Sequence, residues 1–104
     1  MIRPYTHPGE ILLEEFVKPY GLTQKQLCEY LNVGIKTISE IYNQKRGISP
    51  VMALKLSKLF NTTPEFWLNA QSSYDLYIAY EKQKSEIDKI KKIVRNYKTI
   101  SIYK

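Results

Sequence analysis

One stretch of the sequence, residues 23–46, places the tightest limit on how this chain can fold. It holds two segments with the apolar spacing of short helices, and only a tight turn around Asn32 separates them. Thr23 begins the first segment, and Gln26 three residues later completes the spacing of a capping box. Because the turn is so short, the two helices must cross steeply. The small side chain of Cys28 fits the crossing point, so we predict a core residue there and not a reactive thiol.

The second of these helices has two contrasting faces. Its apolar face is formed by Ile35, Ile38, Ile41 and Tyr42. Its polar face is formed by Lys36, Ser39, Glu40 and Asn43. A polar face of this kind indicates, by itself, only exposure to solvent. Behind a short turn and a steeply crossed partner helix, however, it also fits the major groove of DNA, which is wide enough to admit an α-helix.

The polar side chains of this helix suit contacts with DNA to different degrees. Lys36 can donate hydrogen bonds to guanine or to phosphate, and the hydroxyl groups of Thr37 and Ser39 can donate or accept. Glu40 is the exception, because phosphates repel a carboxylate. Three roles remain open for it: it accepts from a cytosine amino group, it excludes unsuitable sequences, or it is simply solvated.

The rest of the chain has the pattern of further helices joined by turns. Three helices are expected to begin where proline takes the first helical position, at His7-Pro8, Ser49-Pro50 and Thr63-Pro64. The first of them is expected to end at the Pro19-Tyr20-Gly21 turn. No segment of residues 1–98 alternates with a period of two, so no sheet is predicted. The predicted fold is all-α, with five helices and a C-terminal helical extension.

The last quarter of the chain carries a pattern of its own. Spacings of four and three residues alternate, with one polar interruption, in the series Leu76, Tyr80, Gln83, Ile87, Ile90, Val94 and Tyr97. This heptad seam predicts one helix over residues 73–98. The lysines beside the seam favour antiparallel pairing with a second copy, or packing back on its own domain, over a parallel zipper, and contact of these lysines with the DNA backbone is a further alternative. Residues 81–104 hold eight Lys and Arg against three Asp and Glu, whereas residues 1–80 hold eight against seven.

The composition argues against several classes of protein. No apolar run reaches the roughly 18–20 residues needed to span a bilayer, so no membrane partner is expected. The single cysteine allows no internal disulfide, which is typical of the reducing cytoplasm. His7 is the only histidine and belongs to no cluster of metal ligands. No Gly-rich phosphate loop or catalytic triad is present, so we expect no metal, no cofactor and no enzymatic activity.

Several motifs together resemble one family of proteins. They are His-Pro-Gly-Glu-Ile-Leu at residues 7–12, Gly-Leu-Thr-Gln at 21–24, Thr-Ile-Ser at 37–39, Arg-Gly-Ile-Ser-Pro at 46–50 and Pro-Glu-Phe-Trp-Leu-Asn at 64–69. The second and third are typical of the phage-repressor class of helix-turn-helix proteins. The first and last are more specific, and with them the chain resembles the HigA-type antitoxins of bacterial toxin–antitoxin pairs. The resemblance covers about residues 7–76, and Trp67 in its last motif is predicted to lie in the core.

The resemblance implies roles for individual residues. Contacts with phosphates are implied for Gln24 and Asn43. Contacts with bases are implied for Ile35, Lys36, Thr37 and Glu40. Contacts with the DNA backbone or the groove edge are implied for Gln44, Lys45 and Arg46. Related sequences usually have glycine where Asn32 and Gln44 stand. Asparagine adopts the left-handed backbone readily, whereas glutamine does so at a cost of about 1 kcal/mol or more.

The resemblance also implies a function and partners. The chain would be a cytoplasmic, homodimeric antitoxin that binds double-stranded operator DNA, represses its own operon and neutralises a small basic toxin. The acidic side chains of the first helix are predicted to form part of the toxin-docking surface; they are Glu10, Glu14 and Glu15. Two alternatives remain open: a stand-alone repressor without a toxin, and a protein-interaction module that acts through the basic C-terminal helix.

These expectations divide the chain into four parts. Residues 1–7 are an N-terminal arm, and residues 8–72 are the helix-turn-helix DNA-binding domain. Residues 73–98 are the C-terminal helix, and residues 99–104 are a tail.

Overall fold

The computed structural model describes residues 5–94 of the chain, which fold into helices joined by short turns. Helix α1 is Pro8–Ile11 and continues directly into a π-helical segment, Leu12–Val17. The other helices are α2 (Gln24–Leu31), α3 (Ile35–Tyr42), α4 (Pro50–Phe60) and α5 (Pro64–Asp88). No strand occurs within residues 5–94, and the predicted all-α, five-helix fold is confirmed.

Side chains cap the N-termini of α1, α2, α4 and α5, whereas α3 begins at Gly34 without a side-chain cap. The Thr23 hydroxyl accepts from the Gln26 N–H at 3.0 Å, while the Gln26 side chain accepts from the Thr23 N–H at 2.8 Å. The predicted capping box is therefore present. Ser49 and Thr63 each accept from the backbone N–H three residues later. His7 caps α1, because its Nδ1 accepts from the Gly9 N–H at 2.8 Å.

The helices before α5 are each followed by a residue with a left-handed backbone. Gly21, Asn32, Gln44 and Asn61 have φ values of 69°, 56°, 61° and 55°. In each case the N–H of the following residue donates to a carbonyl five positions earlier, which is the pattern of a Schellman motif. Asn32 adopts the conformation predicted for it. Asn61 has the same role, although the sequence analysis did not single it out.

The first helix differs from the prediction of one continuous α-helix up to Pro19. Its second half is π-helical, and the Lys18 N–H donates to the carbonyl of Leu13, five residues earlier, at 3.0 Å. Packing explains the change, because Leu12 and Val17 are both buried. In an α-helix, residues five apart point about 140° away from each other, at about 100° per residue. The wider π turn brings the two side chains to the same side.

The core forms where all the helices meet. Its largest fully buried side chains are Trp67, Leu12, Leu27, Ile38, Ile41 and Leu56. The predicted core position of Trp67 is confirmed, and its indole N–H donates to the Thr62 hydroxyl at 2.8 Å. Phe16 packs against Phe60, Phe66 and the indole ring with ring centroids 5.1–6.0 Å apart, and Phe66 also packs on the indole ring at 5.1 Å. Cys28 is also buried in this core, as predicted.

A glycine lets α1 lie directly against the end of α3. A Cβ atom at Gly9 would overlap the backbone carbonyl group of Ile41, so no larger residue fits without moving one of the helices. This contact explains the His-Pro-Gly-Glu motif in physical terms: His7 caps the helix, Pro8 starts it, Gly9 allows the close approach, and Glu10 remains exposed.

Helix α5 corrects the prediction of a separate C-terminal helix over residues 73–98. It runs from Pro64 to Asp88 and is kinked at Gln83, the one residue inside it with a non-helical backbone (φ −116°, ψ 16°). Residues 90–94 lie beyond its end, so the predicted continuation of the helix is wrong for them. Two causes act together: Ile90 and Val94 are β-branched, and no packing compensates for their low helix propensity. Tyr97, the end of the predicted helix and the tail 99–104 lie outside the described residues.

Only the first part of α5 packs on its own domain. Tyr74 contacts the ring of His7 edge-on at 4.8 Å, and Tyr77 stacks on Tyr5 at 4.9 Å between ring centroids. Residues 81–94 are all exposed, so the predicted packing of the C-terminal helix on its own domain is wrong for them.

Over the part of the chain that the structure describes, no helix has the length and apolarity required to cross a membrane. The division into four parts stays a prediction.

The hydrogen bond with which His7 caps α1 depends on pH, because a protonated Nδ1 cannot accept it. His7 is buried, with 3% of its surface exposed, and its Nδ1 must stay unprotonated to accept from the Gly9 N–H. Burial lowers the pKa of His7 below its ordinary value of 6.5, although the carboxylates of Asp75 and Glu10 act in the opposite direction.

The free energy of unfolding is predicted to fall as the pH drops below about 6.5. The unfolded chain binds the His7 proton near its ordinary pKa, whereas the folded chain binds it only at lower pH. Urea unfolding between about pH 5 and 8 measures this, with a slope of at most about 1.4 kcal/mol per pH unit from one proton. His7→Asn keeps an acceptor for the Gly9 N–H but does not titrate, so its profile should be flatter. An equally steep profile for the variant would contradict the assignment.

Candidate nucleic-acid interface

Hydrogen bonds fix α3 against α2 at its first turn. The Val33 N–H donates to the Cys28 carbonyl at 3.0 Å, and this bond closes the turn at Asn32. The Cys28 thiol lies 3.8 Å from the Gly34 carbonyl, which places the small residue where the two helices meet. The Gln24 side-chain amide donates to the Ile35 carbonyl at 3.4 Å. The start of α2 is therefore joined to the start of α3.

The apolar face of α3 is shorter than the helical wheel predicts. Ile38 and Ile41 are fully buried, and Tyr42 is half-buried. Burial raises the pKa of Tyr42 to about 12, so its hydroxyl stays protonated. Ile35, in contrast, is 57% exposed, because the first turn of α3 extends past the edge of the core. Its place on the apolar face of the wheel therefore does not bury it, and the contact with DNA implied for it requires the exposure that it has.

Most of the predicted DNA-binding residues lie along α3 and the turn that follows it. Lys36, Asn43, Gln44, Lys45 and Arg46 are exposed, whereas Gln24, Thr37, Ser39 and Glu40 are half-buried. All of these side chains therefore keep at least part of their surface in solvent. Gln24 belongs to α2, and its hydrogen bond to the backbone of α3 places it beside the residues of that helix.

The turn after α3 is a Schellman motif with glutamine at its left-handed position. The Gln44 N–H donates to the Ile41 carbonyl at 3.1 Å, and the Lys45 N–H donates to the Glu40 carbonyl at 2.8 Å. Gln44 has a φ of 61°, so it adopts the left-handed conformation that favours glycine. The turn reverses the chain and brings the residues after it back along the last turn of α3.

This reversal pairs two residues that the sequence analysis treated separately. The Arg46 guanidinium donates from Nε at 2.9 Å and from a terminal nitrogen at 2.6 Å, both to Oε1 of Glu40. The hydrogen bond from Arg46 lowers the pKa of Glu40, and the charges of Arg46, Lys36 and Lys45 act in the same direction. A separation of six residues is not a contact spacing within an α-helix, so the pattern alone did not reveal this pair.

A glutamine that the sequence analysis missed anchors the loop after α3 to α5. The Gln71 side-chain carbonyl accepts from the Ile48 N–H at 2.8 Å, and its amide donates to Asp75 at 2.9 Å. Gly47 lies against the same side chain, with room for little more than its hydrogen atoms. Nothing in the local sequence around Gln71 marks this role, because its partners are 23 residues earlier and four residues later.

The predicted toxin-docking residues lie on the first helix and its π-helical extension. Glu10, Glu14 and Glu15 are all exposed. Glu14 forms an ion pair with Lys18 at 2.8 Å, which partly neutralises it. Glu15 borders an open groove of about 360 Å³ whose other lining residues are Phe16, Pro19 and Tyr20. The acidic surface therefore adjoins aromatic side chains.

Several known proteins are similar to this chain in sequence and in structure. The helix-turn-helix family matches residues 13–67. Virulence-associated protein I of Dichelobacter nodosus is 43% identical over 82 residues, which are 79% of this chain and 76% of that protein. Antitoxin HigA-1 of Vibrio cholerae is 39% identical over 83 residues, which are 80% of this chain and 78% of the antitoxin. The solved structure of Pseudomonas aeruginosa antitoxin HigA with the higBA promoter superposes with a TM-score of 0.82 at 38% identity, over 88% of this chain and 100% of that one.

Replacing Gln44 by glycine is predicted to stabilise the fold. The substitution removes about 1–2 kcal/mol of left-handed backbone strain and adds about 0.5–1 kcal/mol of glycine entropy, so the net gain is about 0.5–1 kcal/mol. Asn43→Gly is the matched control, because Asn43 has a φ of −87° and gains nothing from glycine. Urea unfolding of the three proteins measures the difference. A Gln44→Gly protein no more stable than the unsubstituted chain would show that the turn carries no strain.

Proposed function

This chain belongs to the helix-turn-helix family that includes the HigA antitoxins, and from that membership we propose that it is a DNA-binding antitoxin. It binds operator DNA as a homodimer, represses its own operon and neutralises a small basic toxin. The observation that carries the proposal is the exposed polar surface of α3, on a fold that superposes on an antitoxin solved with promoter DNA. The proposed activity is binding without a catalytic step, in the cytoplasm where a bacterial chromosome lies.

In this proposal α3 enters the major groove. Side chains at its exposed first turns reach base edges: Ile35 makes apolar contact, as with a thymine methyl group, and Lys36 donates to guanine. The half-buried hydroxyl groups of Thr37 and Ser39 donate or accept at the groove wall. The positions of these four side chains support the assignment. Ile38 and Ile41, on the other side of α3, are buried in the core, so the side with these four residues faces away from it.

Residues at the ends of the two helices contact the DNA backbone. Gln24 is the first residue of α2, where backbone N–H groups and the helix dipole favour a phosphate. Asn43 caps the end of α3, and Gln44 and Lys45 follow it in the Schellman turn, all three exposed. These contacts fix the register of α3 in the groove without reading sequence.

A homodimer provides the specificity that one recognition helix lacks. A single helix contacts only a few base pairs, and two copies on half-sites about one helical turn apart read twice as many. The outer side of α5 has apolar side chains suited to pairing, since Leu76 is 68% exposed and Ile87 is 39% exposed. We therefore assign the contact between copies to this side of α5.

The toxin-docking surface that we propose combines negative charge with an apolar groove. A basic partner is attracted by Glu10 and Glu15, and an apolar side chain of that partner fits between Phe16 and Tyr20. The basic end of the chain, with eight Lys and Arg in residues 81–104, repels such a partner.

Lys36→Ala is predicted to weaken binding to the DNA upstream of this chain's own gene by about 1–3 kcal/mol, with relaxed preference at one base position. Fluorescence anisotropy with that duplex, and with variants of each base pair, measures both effects. Lys58→Ala, in the last turn of α4, removes the same charge far along the chain from α3 and should bind as the unsubstituted protein does.

Three outcomes would overturn or modify the DNA assignment. If the unsubstituted protein binds no duplex in low salt, the repressor proposal fails. If Lys36→Ala weakens binding to every duplex equally, Lys36 contacts phosphate only. If Lys36→Ala binds normally and removal of residues 81–104 abolishes binding, the chain is an interaction module that acts through its basic end.

The double variant Glu14→Lys with Glu15→Lys is predicted to lose capture of the protein encoded by the neighbouring gene. Glu81→Lys with Glu86→Lys makes the same change in charge on the exposed end of α5, so it measures the effect of net charge alone and should weaken capture much less. Co-purification from cells that express both proteins measures the complex, and growth of these cells measures neutralisation. Normal capture by the first variant would remove this surface from the proposal. No capture by the unsubstituted protein would favour the stand-alone repressor.

A further inference from the structure

We infer that Glu40 is a positioning residue for Arg46, and that the pair raises the discrimination of this protein between specific and non-specific DNA. The inference rests on the proposed DNA-binding function. In this inference Glu40 does not read a base itself; it acts through the side chain of Arg46, which it holds in place.

The geometry of the pair makes Glu40 the inner of the two side chains. Two N–H groups of Arg46 converge on one carboxylate oxygen, Oε1, at 2.9 and 2.6 Å. The Glu40 side chain is 29% exposed, whereas the Arg46 side chain is 50% exposed. The carboxylate is therefore the inner member of the pair, and the guanidinium is the outer member that meets a ligand first.

The charges around Glu40 explain why a carboxylate is tolerated on this surface. Lys36 precedes it by one helical turn, Lys45 follows in the Schellman turn, and Arg46 lies in direct contact. Three cations thus surround one anion, and the pair does not present an unpaired negative charge to phosphates. Removing Arg46 alone would expose that negative charge to the DNA.

The same contact restricts where Arg46 can bind. A guanidinium has five N–H donors in one plane, and two of them are held by Glu40. The others remain able to bind a pair of acceptors, such as O6 and N7 of guanine or two phosphate oxygens, in one orientation only. A released arginine would reach phosphates in many orientations and bind any duplex. Holding it therefore costs non-specific affinity and retains specific affinity, which is the condition for discrimination.

The backbone fixes this arrangement before DNA arrives. The Lys45 N–H donates to the backbone carbonyl of Glu40, and this bond closes the turn that brings Arg46 back to α3. Glu40 therefore holds Arg46 in two ways, through its backbone and through its carboxylate. Part of the entropy of ordering a long side chain is thereby lost in the unbound protein and not on binding.

A double-variant cycle tests the inference. The unsubstituted chain, Glu40→Ala, Arg46→Ala and the double variant are titrated with the upstream duplex and with a shuffled duplex of equal length and composition. Glu40→Ala is expected to bind the shuffled duplex several-fold more tightly and the upstream duplex no more tightly, so the affinity ratio falls by about fivefold or more. In the Arg46→Ala background the same substitution should strengthen binding to the upstream duplex. The effect of Glu40→Ala on that duplex thus depends on whether Arg46 is present.

Glu40→Gln and a measurement without DNA complete the test. Glutamine keeps an Oε1 acceptor for both N–H groups, so Glu40→Gln should retain more of the affinity ratio than Glu40→Ala. The NMR signal of the Arg46 Nε–H group should be protected from exchange in the unsubstituted chain and lose that protection in Glu40→Ala. Urea unfolding of each variant separates these effects from loss of the fold.

Two results would overturn the inference, and they differ from failure of the proposed function. If Glu40→Ala strengthens binding to both duplexes by one factor, with or without Arg46, Glu40 is only a repelling charge. If the Arg46 Nε–H exchanges equally fast with and without Glu40, the pair does not hold the arginine. If the unsubstituted chain binds both duplexes equally, the proposed sequence-specific function itself fails, and the role in discrimination fails with it.

Discussion

The contact between α2 and α3 across one short turn is the constraint on which the rest of the structure depends. It requires a turn so short that one residue must take the left-handed conformation, and Asn32 does so with a φ of 56°. The small Cys28 side chain lets the helices approach where they cross, and the hydrogen bond from Gln24 joins their first turns. With these contacts fixed, Ile38 and Ile41 are directed into the core, and the opposite side of α3 must face solvent.

The other end of α3 is held by a different set of contacts. Gly9 brings α1 against the Ile41 carbonyl, and Gln71 of α5 binds the loop that follows the Schellman turn. Between these supports lie Gln44, in a strained conformation, and the Glu40–Arg46 pair on the surface. A helix supported at both ends presents its polar side chains in one fixed orientation, which is what recognition of base edges requires.

Local signals could be predicted from the sequence, and contacts between distant residues could not. The capping box at Thr23 and the turn at Asn32 follow from rules that act over three or four residues. The π-helical segment depends on where Leu12 and Val17 meet the core, and the exposure of Ile35 depends on where that core ends. The pairing of Glu40 with Arg46 depends on the reversal of the chain at Gln44. The sequence did not predict this reversal, because glutamine adopts the left-handed backbone less readily than glycine. The heptad pattern predicted that the last helix continues to residue 98, but α5 ends at Asp88, because no packing stabilises the helix beyond that residue.

The central claim is that α3 reads the major groove, and methylation interference tests it most directly. Guanine N7 lies in the major groove and adenine N3 in the minor groove, and dimethyl sulfate modifies both. Partially methylated DNA from upstream of this chain's gene is incubated with the protein, and bound and unbound molecules are compared. The account predicts that methylated guanines are depleted from the bound fraction at two clusters about one helical turn apart. Interference only at adenines, or at no position, would contradict it.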